Sequence, residues 1–164
     1  MKVKSKTLQG PLKCWDIYAM YLAEQAANFE KQNDLEVLKT YKTKFDWFFD
    51  VEEILNNNEF EALVLTDFKQ EIKWVNKGFT KMTGYSFKDA LGRKPNFLQG
   101  ENTSLRTLNN IRNYLKREVH FKESIINYRK NGEMYHCSIE VYPLKDNNDI
   151  TTHLLALENE IRLY

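Results

Sequence analysis

From Pro11 to about Leu55 apolar residues return at helical spacing. Leu35, Leu38, Tyr41, Phe45, Phe48, Val51 and Leu55 lie three or four apart on a single stripe, which predicts an amphipathic helix. Asp34 is placed to cap its start, and Asn56-Asn57-Asn58 to stop it. An earlier stripe of Trp15, Tyr18, Leu22, Ala26 and Phe29, with Ile17 and Tyr21 on a neighbouring face, predicts a preceding helix. An apolar surface that wide calls for cover.

Beyond Glu59 the pattern shortens and alternates. Residues 62–66 (ALVLT) and 71–75 (EIKWV) read as two short strands around a polar turn. Short helices are expected at 79–83 and 87–90, punctuated by Gly84 and Gly92, and a longer one at 103–115. Three strands follow at 121–128, 135–142 and 150–157, the first two joined by the hairpin signal Lys130-Asn131-Gly132. Two strands, several helices and three further strands make an α+β domain. The chain then divides into a flexible tail (1–10), an N-terminal helical extension serving as cap or dimerisation element (11–57), and the core (58–164).

Composition narrows the partners. A formal net charge of +1 supplies no basic field for nucleic acid, and the lysines of residues 1–6 read as a solvated tail. The most apolar stretch, 15–29, is broken by Asp16, Glu24 and Gln25, so neither a membrane span nor a signal peptide is expected. The two cysteines, Cys14 and Cys137, form no disulfide framework or metal cluster, which suits a reduced, cytoplasmic setting.

The order of elements and the words they contain resemble the PAS domain family. Trp74-Val75-Asn76, Phe79 and Thr83-Gly84-Tyr85 follow its "VN..F..LTGY" stretch. LGRKPNFLQG (91–100) is similar to the "GRNCRFLQG" signature of the light-oxygen-voltage branch. Thr103, Thr107 and Ile111-Arg112 keep the spacing that follows it, and residues 127–132 match "NYRKDG". The resemblance covers about 59–161 and implies a five-stranded antiparallel sheet with short helices on one face, here preceded by the helical extension.

The resemblance also implies a flavin site, which is carried over only in part. Pro95 stands where the branch has its flavin-attacking cysteine, so no cysteinyl-flavin photocycle is expected, and Cys137 belongs to a different wall. Asn96 replaces a phosphate-binding arginine, while Arg112 retains a second one. Gln99 and Asn127 are kept; Cys137 replaces a ring-binding asparagine, and Glu158 a flavin-sensing glutamine. An ionised Glu158 only accepts hydrogen bonds and would repel a flavin carbonyl, unless burial keeps it protonated. The candidate pocket is therefore Gln99, Arg112, Asn127, Cys137 and Glu158. It reads either as a cavity retuned for another small molecule or as relics around a filled core; the latter is preferred to any named cofactor, and FMN is disfavoured.

Other chemistry is sparse. Haem-binding relatives place a histidine on the long helix, and 103–115 has none. His120 lies past it, and alternation turns His136 and His153 away from Cys137 and Glu158, toward the surface or an interface. No nucleophile elbow, phosphate loop or metalloprotease motif occurs, so no enzyme is expected. The same alternation turns Ile126, Tyr128, Tyr142, Leu155 and Leu157 outward. The expected interface sets Trp15, Tyr18, Leu22, Phe45 and Phe48 on Tyr142, Leu155 and Leu157, within one chain or across a homodimer. The expected function is a non-catalytic sensory and interaction module with an unnamed signalling partner; the rival is a flavin photoreceptor working by photoreduction without adduct.

Overall fold

Caps and turns set the element boundaries in the computed structural model, which describes residues 14–162. The expected tail and the opening residues of the extension lie outside that range. The chain divides into two units, 1–34 and 35–164. Helix α1 is Cys14–Phe45, α2 Val51–Asn57, α3 Lys77–Thr83, α4 Phe87–Ala90 and α5 Leu105–Lys116, with a 3-10 turn at Pro95–Leu98. The strands are β1 Ala62–Asp67, β2 Ile72–Val75, β3 Phe121–Tyr128, β4 Met134–Lys145 and β5 Thr151–Glu160. They form one antiparallel sheet in the order β2-β1-β5-β4-β3, with helices beside it, so the fold is the expected one.

Local chemistry accounts for most boundaries. The Asn76 amide oxygen accepts from both Phe79 N (3.0 Å) and Leu63 N (2.9 Å), capping α3 and fastening it to β1. Gly84 ends α3 in the left-handed region (φ 74°), where a side chain is disfavoured. Ser86 and Asp89 form a reciprocal capping box on α4, and Ser104 caps α5. At the β3–β4 hairpin Gly132 takes φ 86° and Arg129 N donates to Glu133 O (2.8 Å).

The helical extension departs from its expected outline. Asp34 lies inside α1 rather than at a helix start, and the single stripe from Leu35 to Leu55 belongs to two helices. The break falls at residues 46–50, which contain neither Gly nor Pro. Asp46 adopts φ 51°, Trp47 pairs as a β-bridge with Asp146, and Asp50 caps α2 by accepting from Glu52 N (3.0 Å). Asn57 does end α2, and Asn58 Nδ2 donates back to Ile54 O (2.8 Å).

Two cores flank the sheet within the unit from Leu35 onward. On one face Leu35, Leu38, Trp47, Val51, Ile54 and Leu55 pack with Leu63, Leu65, Leu144, Leu155 and Leu157. Phe45 and Tyr142 are half-buried against this cluster, whereas Phe48 is 79% exposed: Trp47, not Phe48, turns inward at the break. Ile126 and Tyr128 are half-buried but belong to none of this core. The other face packs against α3, α4 and the 3-10 turn, and encloses the cavity described next. In the N-terminal unit Trp15, Tyr18 and Leu22 are exposed.

Candidate functional site

Strand register gathers the inward residues of the sheet. Ala62 pairs with Glu158, Val64 with Ala156 and Thr66 with Leu154, while Ile125 pairs with Cys137 and Asn127 with Tyr135. Above them, α5 and the 3-10 turn leave a partly open cavity of about 250 Å³. Its walls are largely branched and aliphatic, including Val64, Leu98, Leu108, Ile111 and Ile139. Its polar groups are Thr66, Gln99, Asn127 and Glu158, with Gln70, Lys94, Asn96 and Arg112 toward the exposed side. A mostly apolar hollow with a few convergent polar groups is the usual form of a small-molecule site.

Four of the five residues singled out from the sequence line this cavity: Gln99, Arg112, Asn127 and Glu158. Cys137 does not. It is fully buried one strand away from Glu158, its Sγ donating to Glu158 Oε2 over 4.0 Å. Pro95 and Asn96 also line the space. Thr66, Gln70 and Lys94 were missed, although the alternation that turned Val64 inward would have turned Thr66 with it. The Thr66 Oγ1 atom is buried and has no hydrogen-bond partner among the described residues.

The electrostatics are those of a dry floor and a cationic rim. Burial pushes the Glu158 carboxyl up to about 7. Burial, reinforced by the charge of Glu158, also raises the Cys137 thiol, which therefore stays protonated. The Tyr135 phenol is raised in the same way, and the Arg129 guanidinium stacks on its ring (4.6 Å). Its hydroxyl lacks a partner meeting hydrogen-bond geometry; Asn127 lies near enough to favour ionisation, but burial dominates. Outside the lining, the Arg93 guanidinium lies 3.8 Å from the centre of the Phe97 ring. Arg112 is exposed and donates to Asn109 Oδ1 (3.0 Å).

The opposite face corrects the expectation for one histidine. His153 is 4% exposed, enclosed by the rings of Phe45 (4.3 Å), Trp47 (5.2 Å) and Tyr41 (6.0 Å). Burial lowers it to about 4, so the ring is neutral near pH 7. His136 is half-buried, and His120 is exposed beside Glu140 (2.9 Å). Among the described residues no cluster of His, Cys, Asp and Glu could hold a metal ion, and no helix is long and apolar enough to cross a membrane.

Comparison with known proteins agrees with this geometry. Residues 61–162 match the PAS domain family, more than half of the chain, and the chain belongs to that family. It is 32% identical over 93 residues to Phototropin-2 of Oryza sativa subsp. japonica, covering 57% of this chain and 10% of that protein. To a blue-light photoreceptor of Listeria innocua it is 33% identical over 91 residues, 54% of this chain and 36% of that protein. The dark structure of the Aureochrome1 LOV photoreceptor superposes with a TM-score of 0.65 at 26% identity, covering 70% of this chain and 84% of that one. The chain thus spans a tenth to about a third of the length of these two curated relatives. It is a PAS sensory module with light-oxygen-voltage homologues.

Proposed function

We propose that the chain works without catalysis, holding a small molecule in the sheet cavity and relaying its presence to a partner, in a cytoplasmic setting. The observation that carries this reading is the cavity itself. It contains an orphaned Thr66 hydroxyl and a buried Glu158 carboxyl, groups that are costly to leave facing an empty hollow and that a ligand would satisfy. Occupancy would be felt along β5, which has Glu158, Ala156 and Leu154 on the cavity side and Leu157, Leu155 and His153 under α2 and the end of α1. Residues 11–57 serve in this proposal as cap and self-association element. Native mass spectrometry of the protein as purified tests the reading. A bound small molecule is expected, and a ligand-free chain that also takes up none of a metabolite panel would defeat it.

No cysteinyl-flavin adduct forms in this proposal. By the sequence resemblance Pro95 stands at the signature position, and no cysteine lines the cavity among the described residues. Cys137, the buried thiol nearest the site, is outside the lining and held protonated. Reconstitution with FMN followed by blue light should therefore give no reversible bleaching to an ultraviolet-absorbing species, and such bleaching would overturn the point. A second reading, FMN held without adduct and photoreduced, is favoured by Gln99, Arg112 and Asn127 lining one cavity and by the blue-light receptors among the relatives. The visible spectrum separates the two: a flavin band in the purified protein selects the second.

A further inference from the structure

The next step rests on the reading that the cavity takes a ligand, and concerns which chemistry it selects. Glu158 lines the cavity at 5% exposure, and among the described residues its carboxyl receives only the long Cys137 contact of 4.0 Å. No cation faces it. The titratable groups packed around it are Cys137 and Tyr135 of β4, with Asn127 beside them on β3. The neighbouring carboxylates Glu160 and Glu61 are each tied to an arginine, Arg129 at 2.6 Å and Arg162 at 3.2 Å. A buried carboxylate with two adjacent acceptor oxygens matches a ligand edge that offers two adjacent donors, and opposes an edge that offers a carbonyl.

A neighbouring depression adjoins the cavity. It is lined by Phe68, Lys116 and Glu118 among others, and shares Gln70, Arg112, Leu115 and Leu154 with the cavity. Arg112 and Lys116 stand one turn apart on α5 beside this depression, and Glu118 is engaged by the Thr151 hydroxyl (2.5 Å). We infer that the site selects a planar heterocycle with neighbouring N–H and NH2 donors, of the guanine type, bearing a phosphate that reaches Arg112 and Lys116. The base edge pairs with ionised Glu158, Asn127 and Thr66 serve its remaining polar atoms, and the aliphatic walls hold its faces.

Calorimetry on the full chain with GMP, IMP, AMP, guanosine and FMN tests this. GMP is expected to bind about tenfold or more tightly than IMP, which lacks the amino donor, and tighter still than AMP. Glu158→Gln replaces one acceptor oxygen by a donor and should weaken GMP by about tenfold or more. Arg112→Ala, on the exposed rim, should narrow the gap between GMP and guanosine. Guanosine has no phosphate to titrate, so its affinity should rise from about pH 6 to about pH 8 as Glu158, held near 7 by burial, ionises. GMP binding no tighter than AMP, or indifferent to Glu158→Gln, overturns the inference. FMN binding in that case leaves the ligand-binding reading standing, whereas no binding of any of the five, with no molecule retained on purification, defeats both.

Discussion

Glu158 and His153 sit on opposite faces of β5 and titrate in opposite directions. The folded Glu158 value, about 7, lies above its ordinary 4.5, so between these limits the folded chain holds a proton that the unfolded chain has lost. Stability therefore falls as pH rises through that window, by at most about 1.4 kcal/mol per pH unit. His153, lowered from 6.5 to about 4, does the reverse: the unfolded chain binds the extra proton, and stability rises with pH over that window. From 4.5 to 6.5 the two slopes oppose each other and largely cancel. Urea unfolding of Glu158→Gln should expose the histidine slope, giving stability that climbs to about pH 6.5 and then stays level. Its gain over the parent should be largest near pH 8, and an unchanged profile would mean that Glu158 is already ionised. Gly78 offers a steric test at the same scale. A Cβ there would lie 1.7 Å from the Glu61 carbonyl oxygen, so Gly78→Ala should cost about 1–3 kcal/mol, read as a lower urea midpoint.

The elements differ in how far sequence reveals them. All five strands and the three later helices follow local signals: alternation, the Lys130-Asn131-Gly132 hairpin, and caps at Asn76, Ser86 and Ser104. The break between α1 and α2 carries no such mark, because tertiary contacts decide it. Trp47 leaves the helix to pair with Asp146 and to donate its indole N–H to the Thr152 hydroxyl (2.9 Å), partners a hundred residues away in sequence. A three-and-four spacing is blind to that competition, so Phe48 took the inward place that Trp47 holds. The 3-10 turn at Pro95–Leu98 is hidden too, since no side chain caps it and Pro95 is its one backbone signal. Cys137 shows the limit of parity: alternation set it on the cavity side of β4, yet the cavity lies over Ile139 and Val141 farther along the strand. The Trp47 assignment predicts a sharp contrast between neighbours. Trp47→Ala should lose about 3–5 kcal/mol of stability, and Phe48→Ala should stay within about 0.5 kcal/mol in the isolated chain, both by urea titration. Equal losses would mean that the break is misplaced.

At the scale of the whole molecule the helical extension splits into parts with different duties. Between Leu35 and Leu55 the buried residues Leu35, Leu38, Trp47, Val51, Ile54 and Leu55 pack with Leu155 and Leu157 in one core. Residues up to Asp34 form a separate unit, in which Trp15, Ile17, Tyr18, Met20, Tyr21, Leu22 and Phe29 are each 48–81% exposed. So many large apolar side chains on one helical segment exceed what scattered surface residues require, and a second copy of the chain is the occupant proposed for them. Two truncations separate the duties. Removing residues 1–34 leaves the sheet's cover intact, so the remaining chain should fold with its stability nearly unchanged and should run as a monomer in light scattering after gel filtration. Removing residues 1–57 strips that cover from Leu63, Leu65, Leu155 and Leu157 and should yield aggregate. The full chain should be a dimer that dissociates on dilution, and Trp15→Glu with Tyr18→Glu should reproduce the monomer without loss of stability. A full chain that is monomeric at every concentration, or a dimer that survives loss of residues 1–34, would remove self-association from the role of the first unit.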